Sequence, residues 1–323
     1  MLLGLVLTIG SLVVLAIAAD EFVAGAGRVA AALGISPLLI GAVIIGFGTS
    51  APEFVVSTVA AARDNLDIGV GNVIGSNIAN ISVVLGITTW VCVIPVSSRT
   101  VRREAVVSVG AVVAFALLVQ NGFTRDEGLV LAALLVAVTV LVLVTGRGDE
   151  QLAEEVREVV GDGGIRVSRE AVRTVVGLAA VVASAQLLVA GAERLADTFG
   201  ISGGFIGFTL IALGTSAPEL LTALAAARRG EIDLLVGNLL GSNVFNSLAV
   251  GASIALVGPG PVADGTLVSL GSIMMVVIAG VSWIAMGTRG PVNRLEGSLL
   301  ISLWVLSVLL LGSSGEAAAL GLG

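Results

Sequence analysis

The sequence predicts an all-α membrane protein with ten transmembrane helices, arranged as two inverted five-helix repeats. Three observations support this. First, 56% of the 323 residues are hydrophobic and only 12% are charged, with a mean hydropathy of +1.09, whereas a soluble domain is about one quarter charged. Second, ten apolar stretches are long enough, or nearly so, to cross a bilayer. Third, the second half of the chain repeats the first.

Hydropathy places the ten spans near residues 2–19, 37–62, 67–94, 104–120, 127–145, 170–192, 203–227, 232–257, 266–287 and 295–312. The first stretch is not expected to be a cleavable signal. It lacks a basic start, and Asp20 and Glu21 follow it where small residues would surround a cleavage site.

All 16 basic residues are arginines, and their distribution predicts the orientation. With the N-terminus outside, the inner loops hold 13 arginines and the outer loops only Arg63, Arg125 and Arg194. Cytoplasmic loops carry the excess of basic residues, so both termini are expected outside a plasma or inner membrane that the chain crosses many times.

The expected organisation is a first five-helix half at 1–145, a short cytoplasmic linker at 146–169 and a second five-helix half at 170–323. The linker is rich in acids, which raises the alternative of a regulatory calcium site. It contains no Asp-x-Asp-x-Asp-Gly loop, so a solvated linker with one amphipathic turn is favoured.

Composition excludes several classes of function. The chain has no histidine and one cysteine, Cys92, which excludes a Ser-His-Asp triad, His-ligated zinc or haem, and cysteine-rich metal sites. No cofactor is expected. The net charge of −7 without a basic patch argues against a nucleic-acid partner, and no obligate protein partner is evident.

The internal repeat has a constant offset of 166 residues. Residues 34–80 and 200–246 align without a gap and share 23 identities in 47 positions. The motif Gly-Thr-Ser-Ala-Pro-Glu at 48–53 recurs at 214–219, and Gly-Asn-x-x-Gly-Ser-Asn-x-x-Asn at 71–80 recurs at 237–246. Because each half has five expected helices, the second half must enter the membrane from the opposite side, as in the inverted repeats of secondary transporters. Pro52 and Pro218 predict a helix break in each half.

Glu53 and Glu219 are the two acids deep within the predicted spans. A carboxylate in hydrocarbon is costly and usually faces a cavity or a partner. An intramembrane arginine could neutralise each glutamate, but no arginine lies at comparable depth. Alternatively, both could stay protonated and hydrogen-bond the helix break. Their symmetric placement favours a functional site.

The spacing brings further oxygen atoms to the same helix faces, because residues four apart share a face. Carboxylate, hydroxyl and amide oxygens suit calcium or sodium rather than soft transition metals. A single hydroxyl could instead bond its own backbone. The second motif also contains asparagines that are expected to brace helix packing rather than bind an ion: Asn72, Asn77, Asn238 and Asn243. The candidate side-chain ligands are Glu53, Glu219, Thr49, Ser50, Thr215, Ser216, Ser76, Asn80, Ser242 and Asn246. Gly46 and Ala212 precede the breaks and could add backbone carbonyls.

These two motifs, present twice and inverted, resemble the two alpha repeats (here 41–80 and 207–246) of the calcium/cation antiporter superfamily, and most closely those of prokaryotic sodium/calcium exchangers. The resemblance implies ion ligation by the twelve residues just named. It also implies a central calcium position flanked by sodium positions, exchange of about three sodium ions for one calcium, and sliding of helices one and six across the core.

One departure concerns Asn246, where some members of the superfamily have an acid. Asn80 and Asn246 are both neutral, so the site has two carboxylates rather than three. This argues against potassium coupling.

The function expected from the sequence is secondary active exchange of sodium for calcium by alternating access; the alternative is a calcium/proton antiporter. The expected partners are calcium, sodium and the lipid bilayer. A cation channel is disfavoured because channels of this kind use rotational symmetry, and an enzyme because no Gly-x-Gly-Asp or His-Glu-x-x-His motif occurs.

Overall fold

The computed structural model describes residues 1–35, 40, 48–94, 99–145, 166–288 and 291–319. Within these ranges almost all residues are helical. The helices are α1 Leu2–Ala32, α2 Ala51–Ala62, α3 Leu66–Val91, α4 Arg99–Leu118, α5 Arg125–Thr145, α6 Val167–Phe199, α7 Gly203–Thr215, α8 Ala217–Arg229, α9 Ile232–Val257, α10 (a π-helical turn at Leu267–Gly271 followed by Ser272–Thr288) and α11 Arg294–Ala319.

Eight of the described helices are long and apolar enough to cross a membrane, and α7 with α8 forms a ninth span that is bent by 41°. The chain is therefore an all-helical, multi-pass membrane protein. The expected span 37–62 is represented by α2, because residues 36–39 and 41–47 lie outside the described part of the chain. The count of ten helices stays a prediction. Of the expected linker at 146–169, residues 146–165 lie outside the described residues, and 167–169 belong to α6.

The helices α1 and α6 are longer than the spans that hydropathy predicts. Hydropathy places the ends of the first span at 2–19 and of the sixth at 170–192, but the helices run over Leu2–Ala32 and Val167–Phe199. Glu21 does not end α1, because its carboxylate forms an ion pair with Arg173 of α6. A helix can therefore continue through a charged residue that forms an ion pair, beyond the point where the hydropathy of the sequence falls.

The helices α1 and α6 pack against each other in antiparallel directions along two glycine contacts. A Cβ built at Gly25 would lie 2.7 Å from Thr174 Oγ1, and one at Gly191 would lie 2.6 Å from Thr8 Oγ1. The two contacts are related by the 166-residue offset. Small residues allow membrane helices to approach closely, so the two helices are densely packed at both of these contacts.

An ion-pair cluster joins α1 to α6 at one end of the seam. Glu170 lies between Arg28, at 3.6 Å, and Arg173, at 3.5 Å, and Arg173 also binds Glu21. Glu170 is buried. The positions that correspond to Glu170 and Arg173 in the first half are Gly4 and Leu7, so the cluster belongs to one end only.

The helices α3 and α9 carry the second motif of each repeat through the centre of the molecule. Every residue of α3 from Ile68 to Ser82 is buried, including its polar side chains. Because the surrounding helices α1, α5 and α11 expose apolar side chains outward, the chain turns its polar residues inward and its apolar residues toward lipid, as a bilayer requires.

Candidate ion-binding site

The two glutamates lie at equivalent helix starts. Glu53 lies in the first turn of α2, after a turn at 48–50, and Glu219 lies in the first turn of α8, after the bend at Ser216. Each helix has its proline at one of the first two positions, where the missing N–H costs no hydrogen bond. The free N–H groups and the dipole of a helix N-terminus favour a carboxylate, so the breaks create two places for negative charge in the interior.

Each glutamate is held by the other half of the chain. Ser50 Oγ donates to Glu219 Oε1 and Ser216 Oγ donates to Glu53 Oε1, both at 3.1 Å. All four side chains are buried, and both glutamates have no exposed surface. The two breaks therefore meet at one site, and these two Ser–Glu hydrogen bonds are related by the repeat offset.

Four predicted ligands present buried oxygen atoms that accept no hydrogen bond. These are the second carboxylate oxygen, Oε2, of Glu53 and of Glu219, and the amide Oδ1 of Asn80 and of Asn246. Buried acceptors in proteins are nearly always paired. Neither glutamate forms an ion pair with an arginine among the described residues. The four oxygens form two repeat-related pairs and are hard ligands that suit calcium or sodium.

The predicted hydroxyl ligands lie around these oxygens, but their hydrogen bonds differ between the halves. Thr49 Oγ1 lies 3.4 Å from Ser242 Oγ. The corresponding pair, Thr215 and Ser76, does not bond directly: both hydroxyls donate to Asn72 Oδ1, at 3.2 and 3.4 Å.

Of the two predicted carbonyl ligands, Gly46 and Ala212, the structure describes only Ala212. Ala212 is fully buried, and its carbonyl oxygen accepts from the Ser216 N–H at 3.0 Å and lies 3.3 Å from Thr215 Oγ1. Gly46 lies outside the described residues.

Two π-helical turns begin at the predicted ligands Asn80 and Asn246. They cover Asn80–Val84 and Asn246–Val250 and are therefore separated by the repeat offset. Such turns interrupt the regular bonding of a helix and occur often at functional sites. Hydropathy and spacing carry no signal for them. Their recurrence at the same offset shows that the repeated motif also repeats a backbone irregularity.

Other asparagines of the second motif connect the helices that carry the ligands. Asn80 Nδ2 donates to Asn243 Oδ1 at 3.2 Å, and Asn243 Nδ2 donates to the main-chain oxygen of Asn77 at 3.1 Å. Ser247 donates to Asn77 Oδ1 at 3.2 Å. These bonds tie α3 to α9 beside the site, which is the bracing contact expected for Asn77 and Asn243.

Comparison with known proteins identifies the family. The sequence profile described as "Sodium/calcium exchanger protein" matches residues 3–144 and 170–312. The chain belongs to this family. Its members are exchangers rather than enzymes, which agrees with the expectation from the sequence, and the chain is accordingly a cation antiporter.

Relatives and solved structures agree with this assignment. The chain is 38% identical to CaxA of Alkalimonas amylolytica over 97% of its length and all of that protein. It is 35% identical to the inner membrane protein YrbG of Escherichia coli over 88% of its length and 90% of that protein. A structure of the sodium-calcium exchanger NCX_Mj matches with a TM-score of 0.61 and 28% identity, covering 96% of this chain and 98% of that one.

Proposed function

We propose that this exchanger moves calcium against sodium by alternating access, with both ions bound at a site formed by Glu53, Glu219 and the surrounding hydroxyl and amide oxygens. The observation that carries the proposal is the set of four buried, unpaired acceptor oxygens on two repeat-related pairs of residues. The named relatives support the choice of ions, since the sodium/calcium exchanger MaX1 of Methanosarcina acetivorans is 26% identical over 95% of this chain and 97% of its own length.

Electrostatics explains why such a site would exchange ions. Two ionised carboxylates give the ion-free site a charge near −2, and moving that charge through a low-dielectric protein interior is unfavourable. One calcium ion neutralises the charge, and so do two sodium ions. The ion-loaded carrier can therefore change sides, whereas for the empty carrier this step is energetically unfavourable. Because each change of side then requires a bound ion, the inward and outward fluxes are coupled.

A third sodium ion would make each cycle electrogenic. Every net charge moved across the membrane is worth about 2.3 kcal/mol per 100 mV. With neutral Asn80 and Asn246, the protein supplies no third carboxylate for that ion among the ligands proposed. The number of sodium ions is therefore best obtained from the voltage dependence of the flux.

The proposal is tested by replacing Glu53 or Glu219 with Gln and measuring sodium-gradient-driven calcium-45 uptake in proteoliposomes. Either substitution removes one of two charges and is expected to reduce uptake to background. Asp126→Asn, at an exposed position at the start of α5, is the matched control and should transport normally. Robust uptake by both glutamine variants would reject the site.

A second arm of the same assay separates sodium from proton coupling. Calcium uptake is driven by a pH gradient in the absence of sodium. No uptake is expected. Uptake of normal size under these conditions would replace the sodium/calcium assignment with calcium/proton exchange and would leave the site itself in place.

A further inference from the structure

One buried amide connects both halves of the chain on one side of the site. Asn72 Oδ1 accepts hydrogen bonds from Thr215 of α7 and Ser76 of α3. Its Nδ2 donates to Ser57 Oγ of α2 at 2.9 Å and to the main-chain oxygen of Glu53 at 3.5 Å. The side chain of Asn72 is fully buried. It therefore closes α3 onto α7 and at the same time contacts the turn that carries Glu53.

The equivalent amide in the second half makes no such connection. Asn238 Nδ2 is buried but has no hydrogen-bond partner. Thr49, which corresponds to Thr215, bonds Ser242 instead. Ala223 stands where the first half has Ser57 and has no hydroxyl to offer. The asparagine at this position of the motif thus forms hydrogen bonds to neighbouring helices in the first half, whereas the side-chain nitrogen of its counterpart in the second half has no partner.

The backbone packing around the two amides differs in the same direction. A Cβ at Gly71 would lie 2.3 Å from the Gly204 oxygen, and one at Gly75 would lie 2.2 Å from the Phe208 oxygen. At Gly241, which corresponds to Gly75, a Cβ would meet none of the described atoms within 4 Å. The Asn72 side of the site is closed by backbone contact, whereas the face of α9 around Asn238 is partly exposed.

We infer that Asn72 and Asn238 are an alternating pair of positioning residues, each of which closes its own side of the site by accepting a hydrogen bond from the threonine of the opposite half. The present structure has the Asn72 side closed through Thr215. In the opposite state, Asn72 releases Thr215, and Asn238 takes Thr49 and Ser242 as its partners. This inference rests on the alternating access in the proposed function and assigns the residues that hold each state.

The direction of each effect follows from population shift. A group that bonds in only one of two states stabilises that state, and removing it shifts the population to the other. Loss of Asn72 disfavours the state shown here, whereas loss of Asn238 disfavours the opposite state. Ser57 adds one bond on the Asn72 side with no counterpart at Ala223, so the state shown here is favoured in the absence of ions.

A thiol-labelling experiment reads the two populations without requiring transport. The native Cys92 is replaced by Ser, and Gly241→Cys provides a reporter on the open face of α9. Labelling by a charged, membrane-impermeant maleimide is timed in proteoliposomes without sodium or calcium, with reagent on each side in turn. In the otherwise unchanged chain, the reporter should react from one side only, which the arginine distribution predicts to be the cytoplasmic side.

The variants should change the labelling rate in opposite directions. Asn72→Ala is expected to shift the ratio of the two states about tenfold, as for the loss of neutral hydrogen bonds of ordinary strength, and to slow labelling accordingly. Ser57→Ala, which removes one bond, and Ala223→Ser, which adds one on the other side, should slow it less. Asn238→Ala should label at least as fast as the unchanged chain, and the double variant should fall between the single ones.

Equal slowing by Asn72→Ala and Asn238→Ala would overturn the inference, because the loss of a residue that only braces the fold would not shift the two populations in opposite directions. An unchanged rate in Asn72→Ala would overturn it as well. If Asn72→Ala fails to elute as a single species from size exclusion, Ser57→Ala and Ala223→Ser decide the question by the same rates. Failure of sodium/calcium coupling would appear in the flux assay and would leave the labelling pattern intact.

Discussion

The helices α3 and α9 carry the same ten-residue motif and the same π-helical turn, but their surroundings differ. The helix α3 is buried along its length through the motif, and its glycines contact the backbone of α7. In α9, Gly237, Asn238 and Gly241 are partly exposed. Local sequence therefore determines the shape of each helix, including its irregularity. It does not determine what the helix packs against, because those contacts come from distant parts of the chain.

The centre of the site shows the opposite behaviour. The two Ser–Glu bonds have the same length, and the unpaired oxygens occur in repeat-related pairs. A symmetric centre with unequal flanks is the arrangement that the proposed alternating access needs, because the ions would meet the same ligands in both states while the side that is open would change. Three pairs of equivalent or analogous substitutions can test this comparison.

The largest expected difference is between Gly75→Ala and Gly241→Ala. The added methyl at position 75 would overlap main-chain atoms of α7 and the Ala212 side chain, and overpacking of this kind costs about 1–3 kcal/mol or more. At position 241 there is space among the described residues, so the change should be nearly neutral. Thermal unfolding of the purified variants, followed by size-exclusion chromatography, measures the difference. Equal losses would mean that the two faces are packed alike.

Ser50→Ala and Ser216→Ala should have effects of equal size. Each removes one hydrogen bond to a buried glutamate, and a bond to a charged group contributes about 1.5–3 kcal/mol. Both variants should need roughly tenfold more calcium for half-maximal uptake, and the two values should agree within about twofold if the centre is symmetric. Calcium titration of the sodium-driven flux gives both values. A large effect in only one variant would show that the ions lie closer to one glutamate.

The smallest effects are expected for two acids of α6, Glu193 and Glu170. Glu193 lies 3.9 Å from Arg63 and accepts from Asn65, and both charged side chains are more than one third exposed. Because exposed pairs contribute less than about 1 kcal/mol, Glu193→Gln should barely change the melting temperature. Glu170→Gln, in the buried cluster with Arg28 and Arg173, should lower it by several degrees. A larger fall in melting temperature for Glu193→Gln than for Glu170→Gln would contradict this ranking.

Much of the site could be predicted from the sequence because it depends on local chemistry. The breaks follow from Pro52 and Pro218, and the constant offset pairs every candidate ligand with its counterpart. The lengths of α1 and α6 could not be predicted, because Glu21 and Arg173 are far apart in the chain and meet only after folding. The unequal packing of Gly75 and Gly241 could not be predicted either. Both glycines occupy the same position of the motif, and the difference arises from contacts with distant parts of the chain.

The reciprocal bonds between Ser50, Glu219, Ser216 and Glu53 also bear on how such a chain could arise. Neither repeat holds its own glutamate through these bonds, so a fragment that carried one repeat alone would bring an unsatisfied acid into the bilayer. Two copies of one fragment, inserted in opposite orientations, would satisfy each other through the same bonds and the same glycine seam. Gene duplication and fusion make that encounter intramolecular, and afterwards each copy is free to diverge, as Ser57 and Ala223 have done.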